Sequence, residues 1–375
     1  MKRQQMLKNL TIKQIVKSVV SLLSLCFFFI LVIWSGVKIR GLSDQRAAKR
    51  WDAEGEAAQV SCYFAEGVTI DEMQIMGFEK QFEQQLKENL PQEETKEINS
   101  RRLYVDAYSS IGTITVTSEK GKLENAKAVG IGGDFFMFHP LQLLSGQYFS
   151  GSDLMKDFLI VDEDAAWQLF GSNDIAGKSV MIAGVPHYIA GVVKRPEGKF
   201  AESAGLDKTV VYVSYETLST YGNSGGISNY EIIAPNPVKH FVYTAVKEKL
   251  GVAETDMVVV ENSSRYSVEA LLGVILDFGT RSMQHAAVKF PYWENIGRGY
   301  EDIMALVLLL EFVLLLIPAI HLTGYLIYRW KNKTWTWKEL LYHLEDGKDA
   351  LFEKIRKQRS EKKQKEQNKK QEYEY

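Results

Sequence analysis

The sequence predicts an α+β extracytoplasmic domain that two transmembrane α-helices hold at the membrane. Two long apolar runs, residues 18–37 and residues 303–328, each have basic residues on the side of the nearer chain terminus. Between these runs, two stretches follow the strand–helix–strand order of a βαβ unit. A segment of short strands and glycine-rich turns, about residues 111–221, separates the two stretches. The predicted fold is therefore a split-βαβ layer with a β-rich insertion.

The first apolar run is long enough to anchor the chain in a membrane. It carries no charged residue over residues 18–37, and at ~1.5 Å per residue it crosses a hydrocarbon core of ~30 Å. The run is long for the apolar part of a signal peptide, and Trp34–Lys38 lacks a small-x-small cleavage pattern. We therefore expect an uncleaved anchor, preceded by a basic cytoplasmic N-terminus over residues 1–17.

The second apolar run, residues 303–328, predicts a second span and sets the orientation of both. Arg329, Lys331 and Lys333 follow it at once, just as basic residues precede the first run. By the positive-inside rule, both basic ends lie in the cytoplasm. The sequence thus predicts a plasma-membrane protein with two cytoplasmic termini and with residues 38–302 outside.

Two polar residues interrupt the second run and are candidate intramembrane sites. Glu311 and His321 lie among leucines, valines and isoleucines, and an ionisable group in a membrane helix is by default a functional candidate. One interpretation is a proton relay. The interpretation we favour is that Glu311 faces a partner helix or a neighbouring polar group, because no further carboxylate lies in either run.

The first βαβ-like piece follows the first span. Gln59–Phe64 and Arg102–Ser109 are predicted strands, and Ile70–Leu90 is the predicted helix between them. Thr69 and Glu72 have the spacing of a capping box at the helix start. The apolar positions of this helix recur at helical spacing, and they are Met73, Ile75, Met76, Phe78, Phe82 and Leu86.

The second βαβ-like piece completes the predicted layer. Tyr230–Ala234 and Met257–Glu261 are predicted strands, with a helix over Pro237–Leu250 that Gly251 ends. Two further segments, Asp44–Ala58 and Ser267–Phe278, have helical composition or spacing. We expect both to be helical stalks that connect directly to the spans and transmit movement between the outer domain and the membrane.

The chemical motifs predict no catalytic residue, cofactor or metal site. The sequence contains no Walker A motif and no Cys/His cluster with metal spacing. Gly222–Gly226 is similar to the nucleophile loop of a serine protease. No His and carboxylate with a matching signature accompany it in the sequence, so a glycine-rich turn is the better interpretation. We therefore predict a protein that is not an enzyme and that has no nucleic-acid partner.

The most specific pattern in the chain runs from Val129 to Val193. An ordered series of short motifs carries it: Asp134-Phe135-Phe136, Leu144-Ser145-Gly146-Gln147-Tyr148-Phe149, Phe158-Leu159-Ile160-Val161-Asp162-Glu163, Gln168-Leu169-Phe170-Gly171, Gly177-Lys178 and Tyr188-Ile189-Ala190-Gly191-Val192-Val193. This series resembles the periplasmic core domain of MacB-type ABC transporter permeases. The resemblance implies an outer domain that pairs a split-βαβ part with an inserted β-rich part. The family's permeases carry three spans after that domain, whereas this sequence predicts one.

The predicted cytoplasmic tail, residues 329–375, has an apolar part and a basic part. Thr336 and Glu339 have capping-box spacing for a short helix, and its apolar residues are candidate partner-docking positions, namely Trp337, Leu340, Leu341 and Leu344. The lysine-rich segment Lys354–Lys370 is suited to attract anionic membrane lipid. Docking of an ATPase by this segment is the alternative.

These observations lead to two functional hypotheses. The first is a non-enzymatic, permease-like membrane subunit of an ABC transport system, which couples the outer domain to cytoplasmic partners. Its expected partners are an ABC ATPase and a full permease, both encoded separately, since the sequence has no phosphate-binding loop of its own. The alternative is a membrane-anchored sensor or scaffold that has kept the outer domain and lost transport.

Overall fold

A computed structural model describes residues 12–53, 57–68, 70–90, 102–281, 288–332 and 348. Contacts divide the chain into two units. The outer unit comprises residues Phe29–Phe312, and the span unit comprises Met1–Phe28 together with Val313–Tyr375.

Two long helices contain the predicted spans. Helix α1, Ile12–Arg40, has 29 residues, and helix α10, Tyr292–Lys331, has 40 residues. Both are long and apolar enough to cross a membrane, with mean hydropathies of 2.5 and 2.9 over their most apolar windows. Each helix extends beyond the corresponding predicted span, 18–37 or 303–328, at both ends.

The shorter helices lie between these two. They are α2 (Ala47–Trp51), α3 (Glu72–Asn89), α4 (Phe135–Phe138), α5 (Glu163–Phe170), α6 (Lys199–Ala201), α7 (Tyr215–Tyr221), α8 (Phe241–Lys249) and α9 (Val268–Leu276). Two 3-10 turns, Asp44–Arg46 and Glu254–Asp256, and a π turn, Glu202–Leu206, complete the helical elements of the described residues.

The strands of the described residues form one 11-stranded mixed sheet. They are β1 (Ala57–Phe64), β2 (Val105–Thr117), β3 (Lys122–Gly133), β4 (Gln142–Gly146), β5 (Phe158–Asp162), β6 (Ser179–Ile182), β7 (Val185–Lys194), β8 (Val210–Ser214), β9 (Asn223–Ser224), β10 (Asn229–Pro235) and β11 (Met257–Glu261). The main order is β11-β1-β10-β2-β3-β8-β5-β7-β4, with β6 paired to β2 and β7, and β9 paired to β2.

The split-βαβ layer is confirmed. Strands β11, β1, β10 and β2 pair antiparallel in that order, and helices α3 and α8 pack on one face of them. In β1 this face consists of Ala58, Val60, Cys62 and Phe64, which lie at every second position and therefore on one side of the strand. Both helices therefore share one apolar core with the centre of the layer.

Two details of helix α3 differ from the prediction. The proposed Thr69–Glu72 capping box is wrong, because Glu72 is the first helical residue and the side chain of Asp71 accepts the Gln74 N–H at 2.8 Å instead. Met73 and Met76 are not core residues, since 79% and 65% of their surfaces are exposed. The four remaining predicted apolar positions are buried.

The insertion begins where β2 extends beyond its pairing with β10, and it ends at Tyr221. It is richer in helix than the β-rich prediction, because α5 and α7 cover its strands and share a core with β5, β7 and β8. Two of its strand pairs, β3–β8 and β5–β7, are parallel. Gly222–Gly226 contributes the two-residue strand β9, in which Ser224 pairs with Gly112 of β2.

The predicted stalks require correction. Helix α1 ends at Arg40, and the described residues between it and β1, which begins at Ala57, contain only the 3-10 turn Asp44–Arg46 and the five-residue α2. The second stalk exists as α9 with Ser267 as its N-cap, but it does not run into the second span. Helix α10 begins separately at Tyr292, so its first three turns precede the predicted span and pack within the outer unit.

Candidate functional site

The face of the layer opposite α3 and α8 is polar and buried. Gln59, Ser61 and Tyr63 alternate with the apolar residues of β1, and each is no more than 1% exposed. On β10, Glu231 lies directly opposite Ser61 and is 1% exposed. Buried polar groups need partners, and here the partners come from the turn after β11, from the segment after α1 and from the base of α10. We call this set of contacts, together with His139 after α4, the junction. Its residues are Asp44, Gln45, Gln59, Ser61, Tyr63, His139, Glu231, Asn262, Arg265, Arg281, Glu294, Glu301 and Asp302.

Arg265 is the centre of the junction. It lies in the turn after β11, its side chain is 2% exposed, and it donates two hydrogen bonds to the carboxylate of Glu294, each of 2.7 Å. Its Nε donates to Glu301 Oε1 at 2.5 Å. Burial alone lowers the pKa of Arg265, but Glu294 and Glu301 outweigh that effect and raise the pKa well above its usual value. The guanidinium is therefore a permanent cation, held by both carboxylates of the helix.

The spacing along α10 explains this geometry. Glu294 and Glu301 are seven residues apart, about two helical turns, so they lie on the same face. Gly297 lies between them, and a Cβ at that position would be 2.8 Å from Arg265 Nη1. A side chain at residue 297 would displace the guanidinium, so the glycine is required here by the close approach of Arg265.

A second arginine balances the charge at the base of α10. Arg281 pairs with the other oxygen of Glu301 and, at 3.0 Å, with Asp302. The Tyr63 hydroxyl, on strand β1, donates to Glu294 at 3.2 Å. Every carboxylate that the junction buries on α10 is thus paired with a buried or half-buried cation, as a stable buried charge requires.

A second polar chain continues the junction across the sheet. Asn262 accepts from Arg265 Nη1 at 3.0 Å and donates to the Ser61 hydroxyl at 2.8 Å. Ser61 donates to Glu231 at 2.5 Å, and the other oxygen of Glu231 lies 2.5 Å from His139 Nε2. The hydrogen bonds therefore form one connected path from α10 across β1 and β10.

His139 is the titratable end of that path. Its Nδ1 lies 3.3 Å from Asp44, in the segment after α1. Burial disfavours the charged imidazole, but Glu231 and Asp44 together outweigh burial and raise the pKa of His139 to about 9. The histidine is therefore a cation at neutral pH, and it lies between two carboxylates from different parts of the chain.

The segment after α1 joins the junction through backbone contacts. Gln59 of β1 accepts from the Ala47 N–H at 2.8 Å and donates to the Asp44 carbonyl at 2.6 Å. Gln45 donates to the Trp293 carbonyl on α10 at 3.2 Å. Trp293 is 1% exposed, and its ring centre lies 4.3 Å from that of His139. The segment after α1 and the start of α10 thus both pack on the polar face of strands β1 and β10.

This arrangement is suited to hold elements in register. Its charged groups are paired with one another and buried, and no group of three His, Cys, Asp or Glu side chains within the described ranges has the geometry of a metal site. A network of directional bonds loses its energy when one element slides against another. The junction therefore links the orientation of the sheet to that of the first turns of α10.

The predicted site residues lie in three different parts of the chain. In the span unit, Ser21 Oγ lies 2.6 Å from His321 Nδ1, and Ser24 donates to the Leu314 carbonyl at 2.6 Å. His321 is thus one of the polar contacts that join the two spans. Glu311 is a half-buried residue of α10 in the outer unit. The candidate docking residues lie outside the described part of the chain, namely Trp337, Leu340, Leu341 and Leu344.

The residues of the junction were missed by sequence reasoning. Glu294 and Glu301 precede an apolar run, where charges are normally the solvated flank of a span. Their seven-residue spacing was an available signal, since it places both on one helical face with Gly297 between them. Gln59 and Ser61 were a second signal, because they give strand β1 a polar face.

The family model of the MacB-like periplasmic core domain matches residues 54–255, more than half of the chain. The chain belongs to this family. The matched region contains most of the sheet, including β1, β10 and the insertion. Arg265 and the base of α10 follow it in the sequence, so the junction ties the MacB-like domain to a part of the chain beyond the family model.

Curated relatives match over shorter segments. A protein of Agrobacterium fabrum named macrolide export ATP-binding/permease protein MacB is 31% identical over 119 residues, which cover 31% of this chain and 18% of the relative. Its namesake in Pasteurella multocida is 32% identical over 96 residues, or 25% of this chain and 14% of the relative. The aligned segments thus span less than a fifth of the length of these relatives.

Solved structures of similar domains are more distant in sequence. The periplasmic region of MacB from Actinobacillus actinomycetemcomitans is 15% identical, with a TM-score of 0.38 over 55% of this chain and 89% of that one. The extracellular domain of the noncanonic ABC-type transporter YknZ from Gram-positive bacteria is also 15% identical, with a TM-score of 0.34 over 62% of this chain and all of that one.

Proposed function

We propose that this chain is a non-enzymatic, permease-like membrane subunit of an ABC transport system, and that it couples movement of its outer domain to cytoplasmic partners. The observation that carries the proposal is the junction, in which Arg265 binds two carboxylates on the base of α10. A subunit that transmits movement needs a rigid connection between its outer sheet and a membrane helix. Membership of the MacB-like family and the names of the relatives support a transport role.

The proposal includes a topology. Arg329 and Lys331 end helix α10, and Lys13 and Lys17 lie at the start of α1. Basic residues at these two ends favour a cytoplasmic location for both termini. The MacB-like domain, between the helices, is then outside the plasma membrane.

The partners belong to the proposal as well. The relatives are named ATP-binding/permease proteins, so the energy source proposed for this chain is an ABC ATPase, acting together with a full permease. The proposed contact for the ATPase is the apolar part of the tail around Trp337 and Leu341. The lysine-rich segment Lys354–Lys370 adds electrostatic attraction to anionic lipid and to acidic partners. Salt weakens this attraction.

The first test is capture of partners from native membranes. The full chain, tagged and expressed in its own host, should co-purify with an ABC ATPase, and truncation after Lys333 should abolish this capture. Trp337→Ala and Leu341→Ala should each reduce the yield more than the matched change Lys363→Ala, since buried apolar anchors usually dominate interfaces. Capture at full yield by the truncated chain would leave the tail as a topology and lipid element. Capture of no ATPase by either form would make the sensor or scaffold the better account.

The second test separates coupling from binding. Arg265→Met removes the centre of the junction but lies far in sequence from the tail, so the captured amount of ATPase should stay the same. A fluorophore at Met73→Cys, on the exposed side of α3, should change its emission when nucleotide is added to the wild-type complex. An equal change of emission in the Arg265→Met complex would show that the junction does not couple nucleotide binding by the ATPase to the outer domain.

A further inference from the structure

Helix α9 has an apolar surface that is wider than its packing requires. Leu271 and Val274 are buried against α10, with Ile275 beside them. Val268, Leu272 and Leu276 form a second stripe at intervals of four residues, and they are 61%, 49% and 85% exposed. Both stripes together cover more than half of the helix circumference. An exposed apolar stripe of this kind has no favourable contact with water.

The position of α9 along α10 shows what surrounds that stripe. The inner stripe of α9 packs on Met304 and Ala305, in a cluster that also includes Ile303 and Leu308 of α10 and Ile39 of α1. Ile303 is the first residue after the charged pair Glu301 and Asp302, and Leu308 is five residues further along. At a rise of ~1.5 Å per residue, the contacts of α9 reach about 9 Å along α10 beyond Asp302. Interfacial helices are buried in the bilayer by about 5–10 Å.

The charged residue of α9 lies at one end of the helix. Glu269 is the only charged residue of the helix; it lies in the first turn and pairs with Lys239 at 3.4 Å. The segment after the helix adds Phe278, which is 54% exposed, before Arg281 pairs with Glu301 and Asp302. The exposed apolar residues thus continue from Leu272 through Leu276 to Phe278 without an intervening basic residue.

We propose that α9 is an interfacial helix, whose stripe Val268–Leu272–Leu276 inserts between the acyl chains of the outer leaflet. The ligand of this surface is the lipid bilayer itself. The proposal rests on continuity, because the inner stripe already packs on the part of α10 that enters the membrane. It concerns a contact with lipid and does not depend on a transport role. Lipid contact at α9 would brace the base of α10 beside the junction.

The test measures the surroundings of single cysteines in the full chain. Cys26 is changed to Ser, and the buried Cys62 is kept, since it reacts only in an unfolded outer domain. An environment-sensitive fluorophore is placed at Leu272→Cys, at Leu276→Cys or at the control position Met73→Cys on the exposed side of α3, in vesicles of phosphatidylcholine and phosphatidylglycerol. Quenching by brominated lipid is then compared with quenching by iodide in water.

We expect the ratio of lipid to iodide quenching to be at least several-fold higher at residues 272 and 276 than at residue 73. Absence of label at Cys62 verifies that each variant is folded, and Phe278→Cys is a replacement if one of them is not. Iodide quenching at 272 and 276 as strong as at 73 would overturn the proposal and place the stripe in water. Protection from both quenchers would also overturn it, because a protein surface would then cover the stripe.

Discussion

The two faces of strand β1 are built on different principles. Val60, Cys62 and Phe64 pack on helices α3 and α8 by apolar contact, whereas Gln59, Ser61 and Tyr63 enter a network of hydrogen bonds and ion pairs that ends on α10. Apolar contacts are non-directional and adjust to small shifts, but bidentate ion pairs hold their partners at one distance and angle. The apolar face therefore stabilises the layer, and the polar face orients it relative to the base of the second span.

Removal of Arg265, the centre of the polar face, should have the largest effect on the difference between the two faces of β1. Arg265→Met leaves Glu294 buried without its cation and Glu301 with Arg281 alone. Loss of one partner of a buried ion pair costs about 3–5 kcal/mol. We expect this loss in the free energy of unfolding, measured by chemical denaturation in detergent. The matched change Lys122→Met removes an exposed pair with Glu124 and should cost less than about 1 kcal/mol. Equal effects of the two changes would contradict a special role of the junction.

The pH dependence sharpens the comparison, because only the polar face contains a shifted histidine. The folded state raises the pKa of His139 from 6.5 to about 9, so it binds this proton more tightly than the unfolded chain. The resulting stabilisation, about 3 kcal/mol at most, is complete below pH 6.5 and is lost as the pH rises through about 9.

The measurement for this prediction is the difference in unfolding free energy between wild type and His139→Gln from pH 6 to pH 10. That difference should shrink as the pH rises, because only the wild type loses a charged contact with Glu231 and Asp44. A constant difference over this range would mean that the imidazole does not titrate within the junction.

The apolar face should give a smaller and less specific effect. Ile75→Val removes one methylene from the buried side of α3 and should cost about 0.5–1.5 kcal/mol. Because the remaining contacts adjust, we expect the distance between the sheet and the base of α10 to stay the same in this variant. A change in that distance would show that the apolar face also sets the orientation.

The smallest expected effect lies in the span unit. Ser21 and His321 make a single polar contact between the two spans, and such contacts in membranes contribute about 0.6 kcal/mol on average. A double-mutant cycle of Ser21→Ala and His321→Leu, measured by unfolding of the full chain in bicelles, should return a coupling energy of that order. A value comparable to the effect of Arg265→Met would give the spans a polar network of their own.

The sequence predicted the elements whose causes are local. Strand β11 matches its predicted bounds, Met257–Glu261, and Phe78, Phe82 and Leu86 are buried on α3 because helical spacing determines which side chains share a face. The insertion was predicted from its glycine-rich turns and its resemblance to the family, but its parallel strand pairs and their covering helices were not predicted.

The junction was beyond such reasoning, since its partners are far apart in the chain. Arg265 is separated by 29 residues from Glu294, and His139 by 92 residues from Glu231. Taken alone, Glu294 has the pattern of a solvated flank, and Glu231 is a single polar residue of a predicted strand. Only the pairing of β1 with β10 and β11, together with the early start of α10, brings them together. The candidate docking residues of the tail, Trp337 to Leu344, remain a prediction.

The most direct test of the account is the distance between the layer and the base of the second span. Spin labels are introduced at Met73→Cys on α3 and at Leu306→Cys on α10, both exposed positions in the outer unit, together with Cys26→Ser. Pulsed electron–electron double resonance in nanodiscs then gives the distribution of distances between the two labels. We predict one narrow distribution for the otherwise unchanged chain and for Ile75→Val, and a broad one for Arg265→Met. A distribution that stays equally narrow in Arg265→Met would contradict the claim that the junction holds the sheet and the helix in register.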